Sequence, residues 1–332
     1  MKRNFKLIFV TVSLLALVCV LSLTGCKGEE TNGSGEIKYY TVKFDTGGGT
    51  KIADMEIRSD TKISRPTDPE KNGYLFVGWF EEGGRTEWMF DEYTVIRDMT
   101  LEAKWIDAKD AYSYLVNDDG TVTVTGVKKK VRGMSVPETI EGKKVTAIGE
   151  RAFKSLDPEE VFNITLPETV TSVGEFAFEN CAGIDITVEG GLTEIGTGAF
   201  LGCDKLLSVN FGEGLEEIPY QAFAGCVALE EVYLPDSLRL IDENAFEECS
   251  GLVLMIFGTG LETVADGAFR FCEAIQAVFY KGDATGFGNV DIAAGNNTLL
   301  AAKIYYYSEQ EPEENKGDYW YFDGKGQPRR YN

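Results

Sequence analysis

Cysteines and carboxylates are the residues of this 332-residue chain that could do chemistry, because it contains no histidine. Without imidazole there is no usual general base near neutral pH, no commonest zinc ligand and no serine or cysteine triad. Acidic residues number 54 against 32 basic, for a net charge of −22. A carboxylate pair could do acid–base work, but none stands apart from the rest. So much acid in every segment reads as a solvated face. Five cysteines, Cys181, Cys203, Cys226, Cys249 and Cys272, each follow a phenylalanine by three residues. Even numbers of cysteines suggest disulfides in exported proteins. Here the number is odd and a period sets the positions. They read as a ladder of buried thiols donating weak S–H bonds to loop carbonyls; disulfides between neighbouring coils are the alternative. Asp118-Asp119-Gly120 could begin a calcium loop, but no further oxygen ligands follow at the required spacing, so it reads as a turn. No metal, no cofactor and no catalytic residue is expected, and the chain is read as a non-enzyme.

The two remaining cysteines are Cys19 and Cys26, near the start. Lys2, Arg3 and Lys6 precede an apolar run from Leu7 to Leu23, too short for a stable membrane span. Leu23-Thr24-Gly25-Cys26 closely resembles the bacterial lipobox, which implies a diacylglycerol on Cys26 and cleavage just before it. Residues 1–25 are then a lipoprotein signal peptide and 26–38 a flexible tether. A polar twelve-residue chain of that kind spans about 20 Å. Loss of three basic residues with the signal leaves −25, which opposes nucleic-acid binding. The expected location is outside the cell, lipid-anchored at the bacterial membrane and surface-exposed, with the lipid as the membrane contact.

Cysteine spacing follows a longer repeat. Ala-Phe pairs end at Phe153, Phe178, Phe200, Phe223, Phe246 and Phe269, a period of about 23 residues. From Cys226 the period runs through Leu229, Val232, Leu234, Pro235, Leu238, Ile241 and Ala245-Phe246. Val232 and Leu234 alternate as a short inward-facing strand, which Pro235 ends. Leu238 and Ile241 turn inward on the opposite wall. Ala245-Phe246 is expected to open a short helical turn carrying Phe246 and Cys249 on one face. No coil buries its apolar residues alone, so coils must stack.

Four further segments frame the coils. Residues 39–105 alternate in Tyr40–Phe44 and contain Trp79 and Trp105, which fill a small core; a sugar-stacking role is the alternative for these rings. Residues 106–133 hold a connector and a hairpin turning at Asp118–Gly120, placed to cover the first coil. The solenoid spans 134–306. Residues 307–332, with Ile304–Glu309 and Tyr319–Gly324, read as a cap, since solenoid ends need covering; an aromatic cell-wall-binding hairpin is the alternative.

Ile148-Gly-Glu-Arg-Ala-Phe153, Val173-Gly-Glu-Phe-Ala-Phe178, Ile195-Gly-Thr-Gly-Ala-Phe200 and Ile241-Asp-Glu-Asn-Ala-Phe246 resemble the BspA-like leucine-rich repeats. That resemblance implies a β-rich α/β fold, a right-handed solenoid of about 23-residue coils, and adhesion. Val42-Lys-Phe-Asp45, Gly47-Gly48, Gly73-Tyr74, Phe76, Gly78-Trp79 and Trp105 resemble the internalin B-type repeat. Its implied fold is β-grasp-like and its implied role a spacer or weak interaction module.

Outward residues between the inward pairs should line a concave face. They run Thr165, Thr187, Asn210, Tyr233, Ile256, Phe279 and Tyr305, beside a column containing Asp185, Glu231 and Leu254. Tyr233, Leu254, Ile256, Phe279 and Tyr305 are the expected ligand patch; a C-terminal cap folded across it is the alternative. The expected function is a surface lipoprotein binding a protein partner in adhesion. The alternative is a carbohydrate or cell-wall ligand.

Overall fold

The structure is a computed structural model that describes residues 37–312 and 316–331. The signal segment and Cys26 lie outside the described residues.

Four strands build the first unit: β1 (Tyr39–Asp45), β2 (Met55–Arg58), β3 (Tyr74–Glu81) and β4 (Met99–Asp107). They lie in the order β2-β1-β4-β3, with β1 and β4 parallel and the outer pairs antiparallel. Val42, Phe44, Trp79 and Leu101 meet in its core. Phe44 packs edge-on to Trp79 at 5.0 Å. Trp105 Nε1 donates to the Thr46 carbonyl at 3.0 Å. Gly49 is required here, since a Cβ would sit 2.7 Å from the Trp105 ring.

A one-turn helix, α1 (Ala108–Ala111), is capped by the Asp107 carboxylate and leads into the hairpin β5 (Tyr112–Val116) and β6 (Val122–Val127). Asp119 Oδ1 accepts from both Thr121 N and Thr121 Oγ1, which closes the turn. β6 pairs in parallel with Lys143–Ile148 of the first coil. The buried Tyr112 ring meets Phe153 at 6.0 Å. The first unit is joined to the solenoid: Leu75 of β3 enters the solenoid core, and Ala108 N donates to the Gly73 carbonyl.

Each solenoid coil has three walls. The front wall stacks the parallel strands Gly133–Ser135, Asn163–Leu166 and Asp185–Val188, then Glu231–Tyr233, Leu254–Phe257, Ala277–Tyr280 and Lys303–Tyr307. The second wall stacks two-residue strands such as Ser172–Val173 and Leu240–Ile241.

On the third wall the expected helical turn is absent. The backbone instead takes left-handed values two residues before and two after each phenylalanine. Arg151 and Ser155 flank Phe153, Phe176 and Asn180 flank Phe178, and Asn244 and Glu248 flank Phe246. Such residues cost about 1–2 kcal/mol each outside glycine. Three hydrogen bonds to the next coil offset that cost, at about 1 kcal/mol apiece. For Phe178 they are Phe176 N to Thr197 O, Phe178 N to Ala199 O and Asn180 N to Leu201 O. The alternate amides bond within the turn, as Ala177 N does to Gly174 O, so every second N–H bonds between coils.

The six phenylalanine rings stack at 5.1–5.2 Å with interplanar angles of 3–11°. All five repeat cysteines are buried and free. Each thiol donates to the phenylalanine carbonyl of an earlier coil, as Cys226 Sγ does to Phe200 O at 3.2 Å. Burial raises the Cys181 thiol to about 11. The free-thiol reading therefore holds, and the disulfide alternative does not.

Both sheets break at one coil. Ile184 and Ile186 are two residues apart where Leu229 and Val232 are three apart, so the Asp185–Val188 strand starts a residue early. Residues 208–210 form no regular strand, and Leu192 pairs with Phe211 instead. Glu194–Ile195 and Glu217–Ile218 likewise fall in separate sheets. The phenylalanine wall runs unbroken past this point, by Phe178 N to Ala199 O and Phe200 N to Ala222 O.

At the far end Ile292 takes the register of Val264. Asn296 then stands where the next Ala of an Ala-Phe pair would be. Its buried side chain accepts from Phe269 N at 2.9 Å and donates to Ala265 O, Ala293 O and Ala294 O. The amide replaces a missing coil. Strands Tyr319–Phe322 and Pro328–Arg330 then extend the front sheet.

Candidate protein-binding face

The front wall turns every second side chain outward, which places the two expected columns on one surface. The structure divides that surface in two. Ile256 is fully buried, and Phe279 and Tyr305 are only 9% and 6% exposed. They form an external core with Trp320, against which Tyr233, Leu254, Tyr307 and Phe322 pack partly buried. The expected open patch of Tyr233, Leu254, Ile256, Phe279 and Tyr305 is therefore corrected. Its last three members are covered, and the apolar drift of the column serves that coverage.

Trp320 is the reason. Its indole lies edge-on to Phe279 at 5.6 Å and donates from Nε1 to the Tyr280 carbonyl at 3.0 Å, reaching across the Lys303–Tyr307 strand. Arg330 Nη1 donates to the Tyr305 hydroxyl at 2.8 Å. The alternative reading, a C-terminal cap folded across the patch, is the one the structure bears out.

What stays open is polar and acidic. Thr187, Asp185, Ser208 and Glu231 are exposed, and Thr165 and Asn210 are half-buried. Tyr233 borders this zone and donates to Glu231 Oε2 at 2.9 Å. Burial, then the Glu231 charge, holds its phenol well above the usual value. Glu189 is held above the ordinary carboxylate range by burial first, then by Glu70, Glu168 and Glu138. Solenoid residues 134–306 hold 28 acidic and nine basic residues, a net of −19.

Apolar anchors border the acid. Glu230 N donates to Leu207 O and Val253 N to Glu230 O, so Leu207, Glu230 and Val253 form one row beside the strands. Leu207 is 63% and Val253 53% exposed. Nothing in the sequence separated these from inward leucines and valines except their place one residue after an inward position.

Among the described residues, no cluster of three or more acidic, cysteine or histidine side chains could hold a metal ion, and no helix is long and apolar enough to cross a membrane. Trp79 is fully buried and Trp105 half-buried, which gives both the structural role.

Comparison with known proteins gives the coils and the first unit their families. A model described as a BspA type leucine-rich repeat region matches residues 133–253 and 184–290, in six copies. A model described as a Listeria-Bacteroides repeat domain matches residues 40–104. A protein of Evansella cellulosilytica described as a membrane protein is 37% identical over 89 residues, 26% of this chain and 13% of that protein. Internalin H of Listeria monocytogenes is 32% identical over 90 residues, 26% of this chain and 16% of its own length. The chain thus spans under a fifth of these relatives. Among solved structures, the T. pallidum leucine-rich repeat protein is 24% identical with a TM-score of 0.37, covering 61% of this chain and 86% of that one. A leucine-rich cell surface protein of Faecalibacterium prausnitzii is 24% identical with a TM-score of 0.41, covering 51% and 53%. This chain carries a Listeria-Bacteroides repeat domain followed by a BspA-type leucine-rich repeat solenoid.

Proposed function

We propose that this is a cell-surface lipoprotein whose solenoid binds a protein partner through the open half of its front wall, in adhesion. The observation that carries this is the mixed surface there. Exposed Leu207 and Val253 sit beside Glu230, Glu231 and Asp185, an apolar anchor set within an acidic rim. Protein interfaces combine these two elements. The net charge selects a partner with a basic surface. Tyr233 is the member of the expected patch placed to take part.

Cross-linking on intact cells captures the partner, and the double variant Asp185→Lys with Glu231→Lys tests the face. Both side chains are exposed, so the fold tolerates the change. Capture should weaken at least tenfold and fall with added salt in the parent chain. Undiminished capture by the double variant refutes the face. The anchor at Cys26 is tested separately by metabolic labelling with a palmitate analogue; an unlabelled parent chain refutes it.

A further inference from the structure

Two clefts lie on the first unit, both lined by Met99. One, of about 350 Å³, is lined by Glu81, Trp88, Tyr93, Ile96, Arg97 and Met99 among others. The other, of about 360 Å³, is lined by Thr41, Lys43, Glu82, Asp98, Met99 and Thr100. The first is a groove on the face that carries Val42 and Leu101; Thr41, Lys43 and Thr100 of the second alternate with those residues and face the other way.

The groove has the chemistry of a sugar chain. At one end Trp88 and Tyr93 stand edge to face at 5.2 Å, and Tyr93 is 38% exposed. Aromatic rings of this kind offer apolar faces to the C–H side of a pyranose. Ile96 is 59% exposed beside them, more than a folded core needs and well placed for a methyl group. The Arg97–Glu81 ion pair borders the same cleft and presents both donors and acceptors. The Trp88 indole N–H is enclosed yet has no acceptor among the described residues. Trp88 packs partly buried against the core that encloses Trp79, and Trp105 donates to the Thr46 carbonyl.

We infer that the groove formed by Trp88, Tyr93, Ile96, Arg97 and Met99 binds a short N-acetylhexosamine chain, with a ring on Tyr93 and an acetamido methyl against Ile96. The site is separate from the solenoid front wall and does not depend on that reading.

The test is saturation-transfer NMR on the full chain with chitotriose as probe, and with cellotriose as the same scaffold without acetamido groups. Saturable chitotriose binding is expected, with transfer strongest at the acetamido methyls and binding to cellotriose about tenfold weaker. Ile96→Ser and Tyr93→Ala should each weaken chitotriose about tenfold. Ile96 is mostly exposed, so that variant keeps the fold even if Tyr93→Ala disturbs Trp88. Absence of saturable chitotriose binding overturns the proposal, as does unchanged affinity in Ile96→Ser. Equal binding of both sugars overturns the acetamido assignment, and binding of a proline-rich peptide without sugar binding overturns the proposal and reassigns the groove to peptides.

Discussion

Replacing Asn296 by alanine should open the C-terminal end of the solenoid. The Asn296 amide closes the last rung by accepting from Phe269 N, and it donates to three alanine carbonyls. Alanine leaves the Phe269 N–H buried without an acceptor, and the carbonyls without this donor. An orphaned buried group costs about 1–3 kcal/mol. Ala265 O and Ala294 O keep Ala268 N and Gly267 N as donors, so with the Phe269 N–H and the Ala293 carbonyl orphaned the expected loss is about 3 kcal/mol. Repeat arrays lose cooperativity at their ends, so the loss should appear locally. Hydrogen exchange over 260–300 reads it, with amide protection falling about a hundredfold while that over 150–200 is unchanged. Asn296→Asp separates hydrogen bonding from size. It keeps an acceptor for Phe269 N but points a carboxylate at the carbonyls of Ala265 and Ala293. At pH 7 it should be at least as damaging as alanine, and it should recover in part once protonation restores a donor. Protection within threefold of the parent in Asn296→Ala, or Asn296→Asp tolerated at pH 7, refutes the reasoning.

Native thiols should resist alkylation at pH 8, and all five should react once the chain unfolds, by mass shift. Burial raises the Cys181 thiol to about 11 and Cys203 and Cys226 well upward, so the native state keeps protons that the unfolded state loses. Stability is therefore full below the unfolded thiol value near 8.5 and falls above it, by about 1.4 kcal/mol per pH unit for each such thiol, measured by urea titration from pH 8 to 10. Glu189→Gln should raise the melting temperature at pH 7, and the gain should vanish in acid. The Glu189 native value is raised, so its ionised form is disfavoured only above that value. Trp320→Ala should cost about 3–5 kcal/mol and increase dye binding, as Ile256, Phe279 and Tyr305 become uncovered; unchanged dye binding would contradict the external core.

The coil was legible because each inward residue recurs at a fixed place in the period. The thiol ladder followed from the same period, since the five cysteines share one position. Left-handed residues flanking each Ala-Phe were not legible, because Arg151, Phe176, Gln221 and Glu248 share no side-chain chemistry. The constraint there is on the backbone, and hydrogen bonds between coils supply it. Covering of Ile256, Phe279 and Tyr305 was one of two open readings for another reason. An outward apolar column reads the same whether a partner or the chain's own Trp320 lies over it. Asn296 carried one faint sign, the failure of a seventh Ala-Phe pair to appear after Phe269.

The solenoid has two unlike terminators and an interior that repeats. The Tyr112 ring closes the phenylalanine stack at one end and the Asn296 amide closes the rung at the other. Neither touches the coils between Phe178 and Phe246. Duplication or deletion of one 23-residue unit there would change the length of the front wall while leaving both ends intact. The length of the binding wall can thus evolve in whole coils, independently of the parts that keep the chain folded and soluble.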